Sequence, residues 1–354
     1  MNKIPITLLT GFLGSGKTTL LNYLLTMKEM ERTLVIINEF GEIGLDHLLV
    51  TQSTEDIIVN MSSGCLCCTI RYDLAKTLRD ITWRFSREGK KLFDRVLIET
   101  TGLADPAPII HTLMKDEFIA KHYCLDGIVV TVDILAGLNT LNNHVEAVKQ
   151  ISVADRLLLT KSDIVHPKEI EMICDRVNKI NPGAKQVLVQ NGQVDPNFIL
   201  NVGLFNSIDD AQRLIKWLNV ESFYHDHKHD HAEHHEHHRG NEHDLNRHND
   251  NIRAFCFTLE KPIQKETLMD WFEVMKGDMG SNMLRIKGIL NVEDEDFPMV
   301  VDGVPHLLHP PMSLSFWPNE DRRSQIVFIV QNLSQEVVES AFNLNVVIDR
   351  SQLQ

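Results

Sequence analysis

The sequence predicts an α/β protein with a mostly parallel sheet, joined to a smaller α+β domain. Three observations carry this. Short apolar runs alternate with helical patterns from Ile4 to Gln190. A complete glycine-rich turn stands between the first run and the first helix. The composition then breaks at His225, before a second set of strands and helices begins.

In chain order, strands are expected at Ile4–Thr10, Thr33–Asn38, Arg95–Thr100, Gly127–Asp133, Arg156–Thr160 and Gln186–Gln190. Lys17–Met27, Leu74–Ser86 and Lys168–Lys179 have helical periodicity. From His225 to His248 ten histidines are mixed with polar and charged residues, and almost nothing apolar is present. Such a segment buries no core and reads as a flexible linker. Ile252–Leu259, Gly288–Val292, Met299–Leu307 and Gln325–Val330 then read as strands, Gln264–Met275 and Gln335–Phe342 as helices. The implied division is an α/β domain at 1–220, a His-rich linker at 221–251 and an α+β domain at 252–354.

A net charge of −14 without a basic stripe argues against a nucleic-acid partner. No apolar run is long enough for a membrane span and no leader pattern precedes Ile4, so the cytoplasm is the expected compartment. Thiols there stay reduced. Six cysteines, three of them crowded together, therefore suggest metal or redox chemistry rather than a disulfide scaffold.

Gly11-Phe12-Leu13-Gly14-Ser15-Gly16-Lys17-Thr18 follows a strand and opens a helix, the setting a phosphate-binding P-loop requires. This gives the first domain the expected fold of a P-loop NTPase. Gly14, Ser15, Gly16, Lys17, Thr18 and Thr19 are the expected nucleotide contacts. Backbone N–H groups cradle phosphate, Lys17 supplies a point charge, and Thr18 offers its hydroxyl to Mg²⁺. Glu99, at the end of its strand, is placed to hold the Mg²⁺ water shell, and Gly102 to turn an N–H toward the γ-phosphate. Thr160-Lys161-Ser162-Asp163 selects the base: Asp163 accepts from the N1 and N2 edge of guanine, and the Lys161 stem packs over the ring. Lys17, Thr18 and Glu99 are the expected catalytic set. No Gln or Arg is assigned to the attacking water, so unaided turnover is expected to be slow.

Cys65-Leu66-Cys67-Cys68 offers up to three thiolates to a soft ion such as Zn²⁺, with Co²⁺ and Ni²⁺ also suited. Further ligands are sought at Glu39 and Glu42, with His111 and Asp116 as additional candidates. A redox switch and simple packing are the competing readings of the run. Cys124, Cys174 and Cys256 are isolated and read as packing residues. The histidine tract reads as a metal-gathering segment.

Gly11–Thr19, Asn38–Glu42, Gly64–Cys68, Glu99–Gly102 and Thr160–Asp163 together resemble the CobW family of P-loop GTPases. The segment from Phe93 through Pro106 is similar to its YjiA-like group, and Arg323–Ile329 resembles that family's C-terminal domain. The resemblance implies a GTP-hydrolysing metal chaperone, with GTP, Mg²⁺ and Zn²⁺ bound and metal passed to a client metalloprotein. Lys17, Thr18, Glu99 and Asp163 inherit nucleotide roles, and Cys65, Cys67 and Cys68 metal roles. The sequence leaves room for a homo-oligomer. The alternatives are a non-catalytic metal buffer or sensor that uses GTP as a conformational ligand, and a GTPase of cobalamin assembly.

Overall fold

The computed structural model describes residues 3–37, 58–60, 69–84, 86–87, 90–91, 93–203, 211–220, 222–223, 252–305, 307–308 and 311–342. Within these, seven strands form one all-parallel sheet: β1 (Ile4–Gly11), β2 (Thr33–Ile37), β3 (Ile58–Asn60), β6 (Arg95–Glu99), β7 (Tyr123–Asp133), β8 (Arg156–Thr160) and β9 (Lys185–Val189). A short hairpin, β4 (Ser86–Arg87) with β5 (Lys90–Lys91), stands apart. The order is β3-β2-β6-β1-β7-β8-β9. The chain thus runs outward from β1 on one side, returns to β6, and crosses to β7 on the other. That reversal opens a crevice at the carboxyl end of β1, where ligands of open α/β sheets bind.

Helices cover both faces, which is why the strands are apolar runs rather than alternating ones. Ile6, Leu8, Ile36 and Ile98 point into one layer, against α2 (Thr69–Arg84), α3 (Ala107–Lys115) and α7 (Pro167–Ile180). Leu9, Val35 and Leu97 point into the other, against α1 (Lys17–Leu24). The remaining first-domain helices are α4 (Glu117–His122), α5 (Ile134–Asn143), α6 (Val145–Ser152), α8 (Pro196–Ile199) and α9 (Ala211–Leu218).

The second sheet is antiparallel. Its strands are β10 (Ile252–Leu259), β11 (Met283–Leu290), β12 (Met299–Val304), β13 (Leu307–Leu308), β14 (Met312–Ser313) and β15 (Ser324–Gln331), in the order β10-β15-β11-β12-β13 with β14 also on β12. Helices α10 (Lys265–Lys276) and α11 (Gln335–Ala341) cover one face, where Trp271 packs edge to face on Phe342 and Phe328 tilts against it. The other face lies on α9 and on the first domain. Ile252, Leu284, Val304 and Ile329 join the core of the parallel sheet.

Two strands start earlier than their apolar patterns predict, and the cause is the same. β7 begins at Tyr123 because Asp126 is buried within it, paired with Arg95 at 2.6 Å. β11 covers Met283–Leu290 instead of Gly288–Val292 because Arg285 and Lys287 sit inside it as buried cations, at 3.1 and 2.6 Å from Asp155 Oδ1. A charged residue in a strand reads as a break until its partner is known.

Candidate nucleotide and metal site

The glycine-rich turn closes the β1–α1 junction. Gly14 and Gly16 have φ of 72° and 87°, the left-handed region that a side chain disfavours. Ser15 Oγ shares a 2.6 Å hydrogen bond with Thr131 Oγ1 on β7, fixing the turn from beneath. Lys17 Nζ donates to the Gly11 and Phe12 carbonyls at 2.9 and 3.1 Å. The ammonium is thereby folded back over the loop whose N–H groups cradle phosphate.

Glu99 ends β6, beside β1, and is 6% exposed. Thr18 Oγ1 donates to its Oε1 at 3.5 Å. A hydroxyl and a carboxylate oxygen at the first turn of α1 are the hard donors that Mg²⁺ takes. The residues present therefore fit that ion. Gly102 abuts the phosphate loop: a Cβ there would stand 2.6 Å from Leu13 N.

Thr160 buries its hydroxyl against Ser15 O at 2.9 Å and Val132 O at 3.2 Å, which ties the base-reading loop to the phosphate loop. Lys161 (φ 62°) reaches Asp133 Oδ2 at 2.6 Å, and Asp133 also caps α5 through the Leu135 and Ala136 N–H groups. Asp163 accepts from Asn191 N at 3.4 Å. Gly192 (φ 73°) brings that loop against Thr19, whose Cγ2 would lie 2.9 Å from a Cβ at this position. The structure thus gathers Gly14 to Thr19, Glu99, Gly102, Lys161 and Asp163 along one rim of the sheet.

Four residues escape the sequence reading. Asn191 and Gly192 close the base side; an Asn-Gly pair directly after a strand is a turn signal that could have found them. Gln150, 1% exposed on α6, donates through Nε2 to Ala104 O at 3.0 Å and Gly102 O at 3.4 Å. No local pattern marks it. His144 packs at a tilt against Phe12 of the phosphate loop, ring centroids 4.5 Å apart.

Glu39, Glu42, Cys65, Cys67, Cys68 and the tract His225–His248 lie outside the described residues, and no group of three metal-ligating side chains occurs among the described ones. Asp116 is committed elsewhere. It caps α4 through the Phe118 and Ile119 N–H groups and pairs with Arg79 at 2.6 Å. His111 lines a cleft against the second domain, with Lys149, Ser281 and Pro305. The isolated thiols are half-buried, and burial pushes Cys124 up to about 11. Neutral thiols of this kind are poor nucleophiles and poor ligands.

Residues 5–188 match the model of the CobW/HypB/UreG nucleotide-binding domain, and residues 252–344 that of the cobalamin synthesis protein cobW C-terminal domain. The chain belongs to the CobW/HypB/UreG family. Among its relatives in this family, zinc chaperone YjiA of Escherichia coli K12 is 31% identical, over 97% of this chain and 98% of its own. Zinc-regulated GTPase metalloprotein activator 1 of Schizosaccharomyces pombe is 28% identical, over 94% and 84%. The crystal structure of Zn(II)-bound YjiA GTPase from E. coli superposes with a TM-score of 0.67 at 26% identity, covering 97% of this chain and 99% of that one. A Zn(II)-bound triple mutant of YjiA, with one glutamate and two cysteines replaced by alanine, matches equally well. The α/β fold with a separate antiparallel C-terminal sheet is the architecture this CobW-family chain was expected to have.

Proposed function

We propose that this chain is a GTPase that binds Zn²⁺ through Cys65, Cys67 and Cys68, with Glu39 and Glu42 as further ligands, and passes it to a client metalloprotein. One observation carries the coupling. Leu9, Glu99, Ile37 and Asn60 are register partners across β1, β6, β2 and β3. The ends of β1, β6, β2 and β3 therefore stand side by side, and in sequence they precede the phosphate loop, Glu99–Asp105, the segment that begins at Asn38 and the one that holds the cysteines. Asn60 is two strands from Glu99, about 10 Å at ordinary strand spacing.

Lys17 and the N–H groups of Gly14–Thr19 hold the β- and γ-phosphates. Thr18 and Glu99 hold Mg²⁺, which when bound neutralises charge developing on the phosphates. Asp163 reads guanine, and Lys161, pinned by Asp133, covers its face. Gln150 positions Gly102 and Ala104 through their carbonyls; no Gln or Arg is assigned to the attacking water, so unaided hydrolysis is slow. GTP orders the loops at the rim and tightens the thiolate site; hydrolysis relaxes them and releases cargo. The names of the relatives support zinc as that cargo. The protein acts in the cytoplasm; among the described residues no helix is long and apolar enough to cross a membrane.

Linkage makes the test direct, since a nucleotide that tightens metal must itself be tightened by metal. Zn²⁺ competition titrations are run with a non-hydrolysable GTP analogue, with GDP and without nucleotide. About 5- to 150-fold tighter binding with the analogue is expected, and its loss in Cys67→Ser. Equal affinities in all three states would sink the proposal.

A further inference from the structure

Arg156 opens β8 and Lys185 opens β9, and the two are register partners on neighbouring parallel strands. Like charges placed directly opposite in a sheet repel. Lys216 on α9 adds a third cation, and all three line one pocket of about 240 Å³, completed by the amides of Asn197 and Asn201 and by Trp217. The pocket lies at the amino end of the strands. Lys161–Asp163 follow the other end of β8, about 15 Å away over five residues.

Two buried carboxylates, Asp155 and Asp126, act on Arg156 from a distance, and both are committed to other partners, Asp126 to Arg95 and the Asn201 N–H. Asp155, the nearest acidic neighbour in sequence, gives Oδ1 to Arg285 and Lys287 and Oδ2 to the Ile128 N–H. Arg156 donates to the Asp155 carbonyl at 3.0 Å and lies over the Phe198 ring. Among the described residues, Lys185 and Lys216 have no carboxylate within ion-pair distance. Burial, then Arg156 and Lys216 beside it, hold the Lys185 ammonium below its usual range. The fold thus keeps three positive charges together on a protein whose net charge is −14. An oxyanion would relieve that repulsion, accept from the amides and gain charge-assisted hydrogen bonds from guanidinium and ammonium.

We propose that this pocket is a binding site for a small phosphate-type dianion. Its volume admits inorganic phosphate or a phosphomonoester with a short organic group. It is separate from the nucleotide site, and the inference stands whether or not zinc is the cargo.

The test uses the full chain saturated with Mg²⁺ and a non-hydrolysable GTP analogue, so that the P-loop is filled. Inorganic phosphate and glycerol phosphate are titrated calorimetrically at constant ionic strength. One saturable site is expected. Lys185→Gln and Lys216→Gln should each weaken it about tenfold, the loss of one charge-assisted hydrogen bond. Lys168→Gln, an exposed position on α7, should leave it unchanged. Binding of both probes supports a monoester site, and binding of phosphate alone an inorganic-ion site. No saturable binding, or equal binding in all three variants, overturns the proposal. Unchanged nucleotide affinity in the variants certifies that they remain folded.

Discussion

Asp163 tests base recognition at the level of a single side chain. Replacing it by Asn should lower GTP affinity at least about a hundredfold, because two hydrogen bonds from guanine to a charged acceptor are lost. Xanthosine triphosphate should regain affinity, since its 2-oxo group accepts from the Asn amide. Competition against a fluorescent GDP analogue reads both. Thr160→Val removes the buried hydroxyl between Ser15 O and Val132 O. A loss of about 1 kcal/mol is expected, seen as a lower urea midpoint at unchanged m-value. The residues legible in the sequence, Gly11–Thr19, Glu99–Gly102 and Thr160–Asp163, have their chemistry in contiguous order. Gln150 and Asn191 come to the same rim from other elements, and only the folded sheet assembles them.

At the scale of elements, the contact between Gly102 and the phosphate loop sets a geometric limit. A methyl group at Gly102 would lie 2.6 Å from Leu13 N and 2.7 Å from Leu13 Cα. Backbone has to move, so Gly102→Ala should lower kcat by about a hundredfold, as a displacement of about 1 Å does elsewhere, while GDP affinity changes little. Single-turnover hydrolysis separates the two effects. Six strands of the parallel sheet are legible because each is an apolar run between helical patterns; β3, three residues long, is too short to leave such a run. β11 was misplaced and the start of β7 missed for a common reason: Arg285, Lys287 and Asp126 are charged residues whose burial depends on partners far away in sequence. Periodicity carries no record of such partners.

The whole molecule is held together by one of those clusters. Asp155 meets Arg285 and Lys287 where the second sheet lies on the first domain, and all three are buried. Asp155→Ala strands Lys287 and leaves Arg285 with Asp302 alone, 3.0 Å away, and a loss of about 3–5 kcal/mol is expected. Burial pushes the Asp155 carboxyl up, but Lys287 and Arg285 outweigh it and hold the group well below the usual carboxylate range. A carboxylate depressed in the folded state stabilises fully above its unfolded value of about 4 and loses that contribution as pH falls through the folded one. Urea midpoints measured from pH 6 downward should therefore fall below about pH 4 in the wild type, and Asp155→Asn should flatten that acid limb. The same packing bears on truncation. A chain ending before Ile252 would uncover the core shared with Leu284, Val304 and Ile329, so it should melt earlier than the full protein, whatever its effect on metal transfer.

Among the described residues β3 has one neighbour, β2, and is three residues long. On the proposed metal site, the sequence between β2 and α2 can thus lengthen, shorten or change its donor atoms while β1, β6 and β7 keep their packing. A lineage could retune which ion it carries by altering one outer segment, with the nucleotide engine inherited intact. A chimera that takes residues 38–68 from a relative with a different metal preference should keep its guanine selectivity and acquire the donor's metal.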